Sequence, residues 1–243
     1  RVMLDMMCNS SNIKETLQHP QFRTSIITTK NLHILKSEQK ILLSLGLLAS
    51  LLANLTSRRA LKYFYSRGLF FDPREAPLLI NNDDFTIDAI PLTHKNLKDA
   101  IIASSSIPLF MEGVRGIRGA PEGVYRDGGL LDYHLDFSPV DREHYALYPH
   151  FFDRLKPGWF DSSLSWRNVQ LGNLDRTIFI CPSEEFIKKL PGSKVPDRSD
   201  FKNFSNSERI KRWRTVTDMS KVLAEEFNEI LEKDQLADHM ISF

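Results

Sequence analysis

Residues Ile41 to Leu55 run without a single charge: Ile-Leu-Leu-Ser-Leu-Gly-Leu-Leu-Ala-Ser-Leu-Leu-Ala-Asn-Leu. A stretch this apolar must leave water, and the ways it can do so limit the folds open to the chain. A membrane-spanning helix needs about 20 apolar residues. This run is shorter, and Ser44, Ser50 and Asn54 interrupt it. The favoured reading is a helix buried on most sides. The other reading is a helix that lies on a membrane or beside a lipid tail. Ser37 is placed to cap this helix, with Glu38 in its first turn.

The segments around it alternate between two periodicities. Thr24 to Thr29 is short and β-branched and reads as a buried strand. Ser57 to Arg67 reads as a second helix stopped by Gly68. Leu78 to Ile80 and Phe85 to Ile90 flank Asn81-Asn82-Asp83-Asp84, a pattern expected of a hairpin. Thr93 opens a helix through Leu97, Ala100 and Ile101 that Pro108 ends. Gly113 to Gly123 is a loop with four glycines, followed by a short strand, Val124 to Arg126. Thr177 to Cys181 is another strand candidate. From about residue 192 to 243 the chain reads as a polar loop and then a long amphipathic helix. Ser205 and Glu208 form that helix's capping box, and Ile210, Trp213, Val216, Met219, Leu223, Phe227 and Ile230 make its stripe. Strands and helices mix throughout, so the expected class is α/β.

Lys and Arg number 32 against 31 Asp and Glu. This balance gives no field that would favour nucleic acid. Cys8 and Cys181 are too few for a disulfide framework and fit a reducing compartment. No ligand spacing for zinc and no phosphate-binding Gly-x-x-x-x-Gly-Lys occurs. Asp83-Asp84 and the pair Asp132 and Asp136 fit turns or a solvated face better than calcium. Ser11 with Lys14, and Ser37 with Lys40, match Ser-x-x-Lys without the partner motifs that chemistry needs. Arg209, Lys211, Arg212 and Arg214 surround Trp213; they read as the wet face of the last helix or as a contact for anionic head groups.

One tripeptide stands out, Asp127-Gly128-Gly129 at the end of a short strand. The glycines permit a turn that a β-carbon would resist, through positive φ or a close approach of neighbouring chain. A carboxylate held there can face a cleft and act as a base. Alone, Asp-Gly-Gly is an ordinary turn. About 20 residues upstream, however, lies Asp99-Ala100-Ile101-Ile102-Ala103-Ser104-Ser105-Ser106-Ile107-Pro108-Leu109-Phe110. A helix ending in Ala-Ser-x-x-Ile-Pro, then a loop, then a strand into Asp-Gly-Gly, resembles the second half of patatin-like phospholipases. The match is firm over Leu92 to Pro139. Ser106 stands where that family usually has alanine, and Leu130 to Pro139 follows its pattern more loosely. The resemblance implies a partial three-layer α/β/α hydrolase domain, with residues 1–243 as its C-terminal portion. It implies a Ser-Asp dyad in which Asp127 is the base, partly buried beside the nucleophile, with no metal or organic cofactor. The substrate it implies is a glycerolipid or another acyl ester. A cytoplasmic protein in peripheral contact with a membrane is the matching expectation.

The family's serine sits in Gly-x-Ser-x-Gly. Here the only glycines four apart are Gly119 and Gly123, with Pro121 between them. Together with a start at Arg1, this leads to the expectation that the nucleophile and the Gly-rich oxyanion loop precede this segment, which alone is inactive. His134 is the nearest histidine after Asp127, but a dyad needs none. The alternative is a non-catalytic lipid-surface or protein-binding module from a split or decayed gene.

Overall fold

A computed structural model describes residues 8–77, 79–80, 85–134, 137–138, 145–167, 169, 174 and 176–240. The chain divides into two compact units, residues 1–145 with 155–177 and residues 146–154 with 178–243. Helices and strands alternate around a mixed sheet, so the class is α/β. In chain order the first unit holds α1 (Ser10–Gln18), β1 (Ser25–Asn31), α2 (Lys40–Thr56), β2 (Tyr65–Phe71), β3 (Leu79–Ile80), β4 (Ile87–Pro91), α3 (Leu97–Ser104), β5 (Val124–Asp127) and β6 (Phe137–Ser138).

The β-branched Ile26, Ile27, Thr28 and Thr29 make β1 a good strand, and it lies inside a four-stranded sheet of order β4-β2-β1-β5. It runs antiparallel to both β2 and β5, while β2 and β4 are parallel. Thr28 is therefore opposite Gly68 on one side and Asp127 on the other. Side chains alternate between the two faces of a strand. On β2, Tyr65 joins Leu35, Leu43, Leu47 and Leu61 on the α2 side. Phe70, an odd number of residues on, joins Ile90, Ala100, Ala103 and Tyr125 on the α3 side.

Several expectations change here. Ser57 to Arg67 is not a helix: a 3-10 segment, Arg58–Tyr63, leads into β2, and Gly68 lies within that strand. A β-carbon on Gly68 would stand 2.5 Å from Thr28 Oγ1 and 3.0 Å from the Tyr125 ring, so this glycine makes room for a neighbour and stops nothing. The hairpin is also absent among the described residues. β3 pairs antiparallel with β6 and β4 pairs with β2; Asn81 to Asp84 lie outside the described residues. Ser37 does not cap α2, which begins one residue after Gln39. Its hydroxyl accepts from Gln39 N at 3.1 Å, and Glu38 turns instead toward Arg126.

The uncharged helix is real, but one face of it is buried and the other exposed: Ser44 is on the exposed side, Ser50 and Asn54 on the buried one. Ser50 and Asn54, which looked like interruptions, face inward. The Tyr65 hydroxyl donates to Ser50 Oγ at 3.0 Å, and Asn54 Nδ2 donates to the buried Asp161 Oδ1 at 2.7 Å. Arg167 Nη2 donates to the Asn54 carbonyl at 2.8 Å. Leu43, Gly46 and Leu47 complete the inner face, while Ile41, Leu45, Leu48, Leu52 and Leu55 face outward. A helix buried on most sides is therefore not what forms.

In the second unit β7 (Ala146–Pro149) pairs with β8 (Thr177–Ile180), followed by α4 (Glu184–Lys189), α5 (Asp200–Asn203), α6 (Asn206–Met219) and α7 (Lys221–Glu232). The capping box forms as expected, with Ser205 and Glu208 bonded reciprocally. The expected single long helix breaks at Ser220, whose hydroxyl donates back to the Val216 carbonyl at 2.8 Å. The polar stretch before α6 is tied down. Trp213 Nε1 donates to Asp200 Oδ2 at 2.9 Å, and Lys194 Nζ lies 2.8 Å from Asp200 Oδ1. Of the basic run, Arg209 stacks over Phe201 at 4.1 Å and Arg212 over Phe204 at 4.3 Å.

Candidate active site

β5 carries Val124, Tyr125 and Arg126 fully buried and delivers Asp127, half-buried, at its end. There the chain turns into a 3-10 segment, Gly128–Leu130, for which Asp127 is the N-cap. The Asp127 side chain accepts from Gly129 N at 2.8 Å, which fixes the carboxylate at the mouth of the turn. The main chain of the same residue donates from Asp127 N to the Ser106 carbonyl at 3.1 Å.

That last bond joins the two sequence motifs. α3 ends at Ser104, whose hydroxyl donates to the Ile27 carbonyl of β1 at 2.8 Å. Ser106, two residues on, is buried, and its carbonyl receives Asp127 N. The serine-rich end of the helix thus docks on β1 and on the aspartate itself. The hydroxyls of Ser104, Ser105 and Ser106 all donate to main-chain carbonyls, Ser106 to Ile102 at 2.7 Å. A serine so engaged is held as a structural donor.

The two glycines serve differently from the simplest expectation. Neither has positive φ; Gly116, Gly119 and Gly192 do. The left-handed conformation considered for Gly128 and Gly129 is not what the turn uses. Close approach is the reason at Gly128, where a β-carbon would stand 2.4 Å from the Ile27 carbonyl oxygen. At Gly129 it would stand 3.1 Å from Asp127 Oδ1, so the missing side chain clears the carboxylate.

Beside the turn is an open cleft of about 480 Å³, lined by Ser25, Ile27, Ile101, Ser104, Gly128 and Gly129 among others. Asp127 adjoins this wall without being part of the lining. Asp132, also at the cleft, is neither solvated nor free. It holds Arg67 in a two-pronged ion pair, Nε to Oδ2 and Nη2 to Oδ1, each 2.7 Å, with both side chains buried. His134 is buried and accepts from Lys156 N at 2.8 Å through Nδ1, stapling residues 134 and 156. Its role is structural. Asp136 lies outside the described residues.

Sequence reasoning missed the clamp behind the aspartate. Arg126, fully buried, donates to Glu38 Oε2 at 2.6 Å and to the Met111 carbonyl at 2.8 Å. Glu38 Oε1 also accepts from Gly113 N at 3.1 Å. The signal was present in an arginine inside a strand next to Asp127, since a buried guanidinium requires an acid. Which acid it takes depends on a contact 88 residues away in sequence. Among the described residues no group of three or more His, Cys, Asp or Glu stands close enough to hold a metal ion. Comparison with protein-family models, with curated proteins and with solved structures gave no match.

Proposed function

We propose that this chain is the aspartate-bearing part of a patatin-like lipid acyl hydrolase, and that Asp127 is its general base. The observation that carries the reading is the coupling of the two motifs. Asp127, oriented by Gly129 N, is bonded through its own N–H to Ser106 at the end of the Ala-Ser-x-x-Ile-Pro helix, beside an open cleft. Supporting it further, the sheet carries α2 on one face and α3 on the other, the layering expected of such a domain. In this reading the nucleophilic serine lies on chain outside these 243 residues, because no Gly-x-Ser-x-Gly occurs within them.

The chemistry follows from the carboxylate. Asp127 takes the serine hydroxyl proton as the oxygen attacks the ester carbonyl. The leaving alcohol takes that proton back as the acyl-enzyme forms. Water then attacks the acyl group, giving a proton to Asp127, which passes it to the serine oxygen as the bond to the acyl group breaks and the fatty acid leaves. Gly129 places no β-carbon against the carboxylate.

The test is to express the longest reading frame containing this chain and incubate it with p-nitrophenyl esters, phospholipid vesicles and a fluorophosphonate probe. The expected result is fatty-acid release together with covalent labelling of one serine in a Gly-x-Ser-x-Gly. No release from any ester, with no serine labelled, would refute the reading.

A further inference from the structure

After α3 the chain bends back along the outer edge of β5, and apolar packing does little to hold it there. Leu109, Phe110 and Met111 are 43%, 88% and 43% exposed. Leu109 has a φ of 69°, in the left-handed region that a side chain resists. Backbone strain of this kind persists only where the surroundings hold it in place.

What holds it is polar. The Ser106 carbonyl, at the start of the bend, accepts from Asp127 N at 3.1 Å, and the Met111 carbonyl accepts from Arg126 Nη1 at 2.8 Å. The Glu38 carboxylate closes the arrangement from the other side. Its Oε2 accepts from Arg126 Nη2 at 2.6 Å and its Oε1 from Gly113 N at 3.1 Å. The Arg126 side chain is fully buried and that of Glu38 one-third exposed. One acid therefore binds both the arginine next to Asp127 and the far end of the segment whose first carbonyl receives the Asp127 N–H. Beyond Gly113 the chain is held by other means. Val114 and Tyr125 exchange N–H to carbonyl bonds of 2.9 and 2.8 Å, and Arg115 donates to the Lys36 carbonyl.

We infer that Glu38 and Arg126 are positioning residues for Asp127: their ion pair keeps the strained segment 106–113 closed on β5 and so fixes the main chain that carries the carboxylate. Side chains alternate along a strand, so Arg126 points to the face opposite Asp127 and acts on it through the backbone. Without the pair, Leu109 is free to relax, the segment lifts, and Asp127 N loses the Ser106 carbonyl. The catalytic consequence rests on the hydrolase reading proposed above; the effect on the backbone does not.

The experiment compares wild type, Glu38→Gln and Glu38→Gln/Arg126→Met. The double variant removes the buried charge together with its acid, so its folding does not depend on an unpaired guanidinium. Amide hydrogen exchange of the chain reads Asp127 N–H against Tyr125 N–H, two residues away in the same strand. The expected result in the double variant is exchange at Asp127 faster by roughly tenfold or more, with Tyr125 within about twofold of wild type. Equal acceleration at both, the mark of a general loss of stability, overturns the inference, and so does no change at either. In the longest reading frame that contains this chain, ester hydrolysis by the double variant falls by about tenfold in kcat with KM unchanged. A double variant within about twofold of an active wild type in kcat overturns the inference alone. A wild type that releases no fatty acid overturns the hydrolase reading, and the positioning role with it.

Discussion

At the scale of the residue, two adjacent glycines separate two demands. Gly128 exists for the backbone of β1: a β-carbon 2.4 Å from the Ile27 carbonyl oxygen can be relieved only by moving a central strand. Gly128→Ala should cost at least about 1–3 kcal/mol, read as a lower urea midpoint. Gly129 exists for the carboxylate, since its β-carbon would press on Asp127 Oδ1 at 3.1 Å and on little else but the Tyr133 ring at 3.5 Å. Gly129→Ala should therefore leave the urea midpoint close to wild type and reduce turnover in the active protein. The reverse pattern would show that the pair has been assigned the wrong way round. Asp-Gly-Gly was legible as a special turn because glycine pairs beside a carboxylate need a reason. Whether that reason is φ or proximity depends on β1, a hundred residues earlier, which local sequence does not encode.

At the scale of the element, α2 shows how far periodicity reaches. Its composition announced a helix. The direction of its faces was not readable, because leucines occur all round it and the polar residues decide the inner side through distant partners. Asn54→Ala deprives the buried Asp161 of a hydrogen bond and should cost about 1.5–3 kcal/mol. Leu52→Ala, on the outward face, should fall within about 0.5 kcal/mol of wild type. Denaturant titration of both decides the orientation, since a buried outer face would reverse the ranking. β2 was hidden for a similar reason. Gly68 looks like a helix stop in isolation, and only the Tyr125 ring and Thr28 packed against it give it a place inside a strand. β1 and the helix that docks on the aspartate were legible because their signals are local: a β-branched run in β1, a helix ending in serines, and glycine at the turn after Asp127.

At the scale of the whole molecule, the interior is rich in polar groups that burial sets off their ordinary behaviour. The Tyr65 and Tyr125 phenols are both raised above the usual value of 10, in each case chiefly by burial. Below about pH 10 both folded and unfolded chains keep these protons, and stability is unaffected by them. Above it the unfolded chain releases protons that the fold retains, so stability should fall by up to about 1.4 kcal/mol per pH unit for each phenol until the folded groups ionise. Thermal melts above pH 10 should show this fall, and Tyr65→Phe should make it shallower. A melting temperature independent of pH in that range would contradict the burial of both rings.

The division of labour proposed here gives the cleft and base to the first unit and leaves the nucleophile to chain beyond it, so the account stands or falls on Asp127. Its most direct measurement is the ester-hydrolysis rate of Asp127→Asn in the longest reading frame that contains this chain, with thermal stability measured alongside. The asparagine keeps the oxygen that accepts from Gly129 N, so the turn should hold and the melting temperature should stay close to wild type. The account expects kcat to fall by about 10⁴-fold, as it does when a nucleophile loses the group that activates it. Turnover within a few-fold of wild type in a folded Asp127→Asn protein would contradict it.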